Sequence, residues 1–189
     1  MATDVTEESF EQDVVERSRE VPVIADFWAA WCGPCHALAP VLEKEVEARA
    51  GAVELVKIDV DAHQGLAATF GVQGIPAVKA FRDGRVVAEF VGAVGPAAVS
   101  TFVDALLAPP AIDSLLVELA ESGELPDVYS ALEAGHHERA LELILDAIPD
   151  AGADERDRLR ELAVAVFDRL GQDDPVTVAF RRRLATALY

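Results

Sequence analysis

The chain has 189 residues, 51% of them hydrophobic and 26% charged, and a formal charge of -18. That length allows one ordinary domain plus a small one, and no apolar run reaches the roughly 18 residues of a membrane span. The charge divides evenly, with 17 acids and 8 bases in residues 1–110 and the same in 111–189, so each half repels nucleic acid and anionic lipid and neither is an expected partner.

The N-terminus is acidic, with no basic and apolar leader, so a cytoplasmic location is expected. Thr6 before Glu7-Glu8 reads as a helix N-cap, with Phe10, Val14 and Val15 as the apolar face. Val21 to Trp28 reads as a strand buried on both faces. Cys32 to about Arg49 reads as a helix kinked at Pro40, where the bond to the His36 carbonyl is lost. Val53–Asp59 is a second buried strand and Gln64–Phe70 a short helix closed by Gly71. Ala77–Phe81 and Arg85–Val91 flank Asp83-Gly84, a strong hairpin signal, and Gly95-Pro96 opens a helix to Ala108.

This order, βαβ then ββα, predicts an α/β fold with a mixed central sheet flanked by helices. Ala108-Pro109-Pro110 punctuates the chain, so domains are expected at 1–109 and 110–189. Beyond the prolines the pattern is all-α. Gly135 and Gly171 separate two helix pairs at a spacing of 36, near the tetratricopeptide period of about 34. Val176, Phe180, Leu184 and Leu188 form a stripe facing the core. Arg181-Arg182-Arg183 is expected to suit the dipole at the end of the last helix, docking to an acidic partner being the alternative.

The two cysteines, Cys32 and Cys35, stand in Trp31-Cys32-Gly33-Pro34-Cys35-His36. A Cys-x-x-Cys whose first thiol opens a helix has its thiolate favoured by backbone N–H groups, with Gly33, Pro34 and His36 as neighbours expected to tune it, plain exposure on the helix being the alternative for His36. Cys32 is then the nucleophile and Cys35 the resolving thiol. A zinc site needs four ligands, and no second pair is present. Haem attachment through Cys-x-x-Cys-His is opposed by the missing export leader and by Met1 being the sole methionine. An inert buried pair is opposed by the helix mouth, which is expected to keep Cys32 open. His136-His137 reads as an exposed turn, and no metal or cofactor is expected.

Asp26 falls in an apolar strand, where burial raises its pKa and fits it to accept or relay a proton; the alternative is an ion pair with Lys57, which also tunes it. Gly74-Ile75-Pro76 before a strand is expected to hold a cis-proline, with an ordinary turn as the alternative. Trp31, Gly74, Ile75, Pro76 and Gly92 are expected to form a substrate groove.

Residues 5–108 resemble thioredoxin, on Asp26-Phe27-Trp28-Ala29, Trp31-Cys32-Gly33-Pro34-Cys35, Lys57, Gly71-Val72 and Gly74-Ile75-Pro76, continued by Phe81, Asp83-Gly84 and Gly92. The resemblance implies a thioredoxin fold, catalytic Cys32, Cys35 and Asp26, a redox-active Cys32–Cys35 disulfide and Pro76 as the cis-proline. Residues 110–189 resemble the tetratricopeptide-like region of thioredoxin fusions in the chaperedoxin group of co-chaperones, on the stretches Gly135–Leu143, Leu170–Pro175 and Phe180–Leu184. That implies protein clients with cysteines or disulfides as partners, together with thioredoxin reductase and a chaperonin. The expected function is thiol-disulfide exchange coupled to client binding. A non-catalytic holdase or adaptor, and a general electron donor, are the alternatives.

Overall fold

β-Branched and aromatic residues with their partners on both sides place Val23–Trp28 at the centre of a five-stranded sheet. The computed structural model describes residues 2–172 and 174–188. The strands are β1 (Thr3–Asp4), β2 (Val23–Trp28), β3 (Glu54–Asp59), β4 (Ala77–Arg82) and β5 (Arg85–Val91), in spatial order β1-β3-β2-β4-β5. β2 runs parallel to β3, pairing Asp26 with Lys57, and antiparallel to β4, pairing Asp26 with Val78. Between them come the helices α1 (Gly33–Glu47) and α2 (Gln64–Thr69), and α3 (Pro96–Leu107) follows β5. The sheet is therefore mixed and helix-flanked, as the order of elements implied.

Alternation along β2 separates two cores. Ala25 and Phe27 join Phe10, Val14, Leu66 and Phe81 on one face. Ile24 joins Leu38 and Leu42 of α1 and Val99 and Val103 of α3 on the other. Asp26 has the parity of Ile24, so it points toward the α1 side. The helix α1 continues unbroken through Pro40.

Three features depart from the expectations. β1 was not foreseen: two residues are too few to carry a periodic pattern, and it forms because Thr3 and Asp4 pair with Val56 and Lys57. The first helix is also not the ordinary α-helix expected. Thr6 does cap the turn, its Oγ1 accepting the Ser9 N–H at 3.3 Å, but Glu11–Glu16 is wound as a π-helix and Arg17–Arg19 as a 3-10 turn. Phe10, Val14 and Ser18, at a spacing of four, are the buried positions of this segment.

The third is Ser18, a buried polar residue that sequence reasoning passed over. Its Oγ donates to the Val15 carbonyl at 2.7 Å and accepts the Gly84 N–H at 2.9 Å. Its carbonyl accepts the Asp83 N–H at 2.9 Å. Asp83 and Gly84 both have positive φ, 54° and 79°, the two-residue primed turn that Asp-Gly favours. Ser18 thus pins the hairpin tip to the first helix. Ser18→Ala leaves the half-buried Gly84 N–H without this partner and is expected to cost about 1 kcal/mol, read as a lowered urea midpoint with unchanged slope.

The chain divides into two compact units, Met1–Ala108 and Pro109–Tyr189. The second contains α4 (Ala111–Ser122), α5 (Pro126–Glu133), α6 (His137–Ala147), α7 (Ala153–Leu170) and α8 (Pro175–Leu188) around its own core, centred on Leu119, Leu141, Ile144, Leu159 and Phe167. Gly135, at φ 73°, closes α5: its N–H bonds the Leu132 carbonyl and the His136 N–H bonds that of Ala131. Phe180 and Leu184 are buried with Val176 and Leu188 packed beside them, as the stripe implied. The arginine block, however, lies mid-helix, and no base stands in the last turn of α8. Two of the three guanidinium groups lie over rings instead, Arg181 over Phe167 at 5.6 Å and Arg183 over Phe180 at 4.3 Å. No helix among the described residues is long and apolar enough to cross a membrane.

Candidate active site

Extended backbone at Cys32 makes this residue the N-cap of α1, and the first turn that follows contains a proline, which has no N–H to give. The Cys32 Sγ accepts the Cys35 N–H at 3.2 Å, the bond an N-cap side chain makes to the third residue of its helix. Backbone dipole and N–H donor thus both favour negative charge on this sulfur. Gly33 and Pro34 are exposed in that turn. Cys32 and Cys35 are joined as a disulfide, S–S 2.08 Å and Cα–Cα 5.3 Å.

The cysteines are not open as the helix mouth implied. Cys32 is 3% and Cys35 1% exposed. Being bonded to each other and packed with Ala29, Trp28, Val60 and Ile75 explains the cover. Their sequence neighbours Trp31, Gly33 and Pro34 are exposed.

Asp26 stands in β2, 1% exposed, and its Oδ1 has no hydrogen-bond partner among the described residues. Burial pushes its pKa up to about 6; Lys57 pulls it back and Glu43 of α1 adds to the rise. The alternative of a Lys57 ion pair is not formed, because the Lys57 ammonium sits over the Trp28 ring, 4.5 Å from its centroid. Lys57 therefore acts on Asp26 through space. His36 is exposed, its Nε2 2.8 Å from the Ala30 carbonyl oxygen and its ring edge-on to Trp28.

The remaining candidates gather on the same rim. The Ile75–Pro76 peptide bond is cis, and the Gly92 N–H donates to the Pro76 carbonyl at 2.8 Å. Gly92 has φ 95°, a conformation that disfavours a side chain. Gly74 is exposed, and a Cβ there would stand 3.8 Å from Val91. Trp31 is 70% exposed, and its Nε1 donates to Asp61 Oδ2 at 2.8 Å. The geometry can hold an extended segment beside a disulfide and exchange electrons with it.

Residues 1–105 match the family described as thioredoxin, and 128–189 match the tetratricopeptide repeat. The chain belongs to the thioredoxin family. It is similar to thioredoxin C-2 of Corynebacterium nephridii, 44% identical over 99 residues, which is 52% of this chain and 90% of that protein. The thioredoxin of Pseudomonas aeruginosa is 42% identical over 101 residues, 53% of this chain and 92% of the relative. That of Streptomyces clavuligerus is 44% identical over 95 residues, 50% and 86%. The thioredoxin part is accordingly a thiol-disulfide oxidoreductase, fused to a tetratricopeptide region of a kind that meets protein partners.

Three contributors to this thioredoxin site went unseen in the sequence. Asp61 latches Trp31, Val60 packs on the disulfide, and Glu43 opposes ionisation of Asp26. The readable signal for Asp61 and Val60 was their place just after the carboxyl end of β3, beside the end of β2, where open sheets bind ligands. Among the described residues, no three His, Cys, Asp or Glu side chains converge as a metal site.

Proposed function

We propose that this chain is a redox-active co-chaperone. Its helical unit holds partly unfolded protein clients, and its Cys32–Cys35 pair reduces their disulfides or protects their cysteines. The observation that carries the reading is the union, in one chain, of a disulfide at a helix N-cap with a second unit built on a tetratricopeptide repeat around its own core. Cys32 is the attacking thiol, Cys35 resolves the mixed disulfide, and Asp26 takes the proton that Cys35 gives up. Trp31, Gly74, Ile75, Pro76 and Gly92 seat the client. Lys57, Gly33, Pro34 and His36 set the charge balance around the sulfurs. A thioredoxin reductase to restore the dithiol and a chaperonin to receive clients are proposed on the likeness to the chaperedoxin group, as is a cytoplasmic location.

Heat-induced aggregation of a cysteine-bearing client, followed by light scattering, tests this. The full chain is expected to suppress aggregation at near-stoichiometric ratio, and the Cys32→Ser/Cys35→Ser protein to suppress it equally while losing all reductase activity. After hypochlorite, only the intact dithiol should keep the client's cysteines recoverable. No suppression by either protein refutes the co-chaperone role and leaves a plain electron donor. Suppression together with negligible reductase activity in the intact chain leaves a holdase on a thioredoxin scaffold.

A further inference from the structure

The segments that adjoin the disulfide carry fixed charge of one sign, the nearby Lys57 lying instead in β3 with its ammonium over the Trp28 ring. Four segments contribute the residues assigned to this rim, 29–36, 59–63, 71–76 and 91–95, and together they contain no lysine and no arginine. They do contain Asp59 and Asp61. Both carboxylates are fixed in place, Asp61 Oδ2 by the Trp31 indole N–H at 2.8 Å and Asp59 Oδ1 by the Asp61 backbone N–H at 2.9 Å. Asp61 is exposed and so is the indole it holds, at 70%. Around them the contact surface is apolar, with Val91 65% exposed and Ile75 half-buried against the sulfurs. The formal charge of -18 adds a field of the same sign.

We propose that this rim selects clients whose reactive disulfide is flanked by lysine or arginine, with Asp61 as the specificity-determining residue. The inference deepens the reductase reading above and rests on it. A cationic side chain beside the client cysteine sits against Asp61 while the apolar residues next to it cover Trp31 and Val91. An acidic flank at the same position meets two carboxylates, and no lysine or arginine stands in the four segments to offset them. Asp61 also positions the indole, and the two roles separate cleanly: asparagine keeps an oxygen for the Trp31 N–H and removes only the charge.

The reaction is the ordinary exchange. The Cys32 thiolate attacks one client sulfur, an S–S bond forms as the client's breaks, and the second client sulfur leaves as thiolate. Cys35 then attacks Cys32 Sγ and frees the first client sulfur. Two electrons pass from the dithiol to the client, and the two thiol protons end on the client's sulfurs.

The test uses the full chain, reduced and freed of reductant, in single turnover against two cyclic disulfide peptides that differ only in lysine or glutamate flanks. Each rate is divided by the rate of the same peptide with dithiothreitol, which removes intrinsic reactivity. Two unit charges about 7 Å apart at a wet surface change a rate about threefold by attraction or repulsion, so the lysine peptide should be favoured roughly tenfold at low salt. Screening should shrink that preference to about twofold near 0.5 M salt. Asp61→Asn should remove most of the low-salt preference, leaving about twofold or less, with Trp31 fluorescence unchanged. Equal normalised rates for the two peptides overturn the inference, as does an Asp61→Asn protein slowed equally toward both. Reduction of neither peptide by the parent chain overturns the reductase reading instead.

Discussion

Cys32→Ser is expected to lower reduction of a model protein disulfide by roughly three orders of magnitude or more. A serine hydroxyl is not ionised near neutral pH and is a poor nucleophile toward sulfur. The N-cap geometry that favours charge on the Cys32 Sγ therefore has nothing to act on. Cys35 is not expected to substitute, because it lies one turn inside α1, away from the N-cap position whose backbone N–H favours charge on the Cys32 Sγ. The complementary change has a different signature. Cys35→Ser keeps the first step and loses the second, so a mixed disulfide on Cys32 should accumulate and appear by intact mass spectrometry as protein plus client. Its clients, identified from cells, name the substrates. Reductase activity surviving in the Cys32→Ser protein refutes the assignment of the nucleophile, and so does trapping through Cys35 alone.

Much of this site could be read before the fold was known, and the reasons are physical. Cys-Gly-Pro-Cys leaves few structures open, since proline in the first turn and a polarisable sulfur at the cap are both local requirements of a helix start. Asp26 stood out because an acid in an apolar strand has few bland explanations. Gly71, Gly135 and Asp83-Gly84 marked their turns because each sits at positive φ. What escaped was non-local. The Ser18–Gly84 bond to the hairpin spans 66 positions, and the Asp61–Trp31 latch spans 30. Neither can be inferred from spacing, because serine and aspartate in loops are ordinary until the sheet brings the loops together. The cover over Cys32 escaped for the same reason, since Val60 and Ile75 arrive from other strands' ends. Arg181-Arg182-Arg183 was misread because dipole logic concerns only a helix's end, whereas the block lies mid-helix, with Phe167 on α7 and Phe180 on α8 itself supplying the rings under Arg181 and Arg183.

Asp26→Asn is expected to make the folded protein more stable at pH 8 by up to about 3 kcal/mol, and to change it little near pH 4. The carboxyl is buried, its Oδ1 has no hydrogen-bond partner among the described residues, and its folded pKa is about 6 against 3.8 for the ordinary group. The folded state therefore binds this proton more tightly than the unfolded chain does. Its contribution favours folding below pH 3.8 and is lost progressively as pH rises to about 6, above which the carboxylate is buried and charged. A neutral amide of the same shape has no such cost at any pH. Urea unfolding of both proteins at pH 4, 5 and 8 should show the gap opening over that window and flat above it, with shifts at other groups cancelling in the difference. Lys57→Met should move the window upward, because Lys57 is the cation that lowers the Asp26 pKa. A gap equal at pH 4 and pH 8 contradicts the account, since a packing effect of the amide would not follow the titration. The same substitution should slow release of the mixed disulfide most above pH 6, where only the carboxylate can take the Cys35 proton. Stability and turnover then move in opposite directions, which explains why a buried, unsatisfied acid is tolerated at the centre of the sheet.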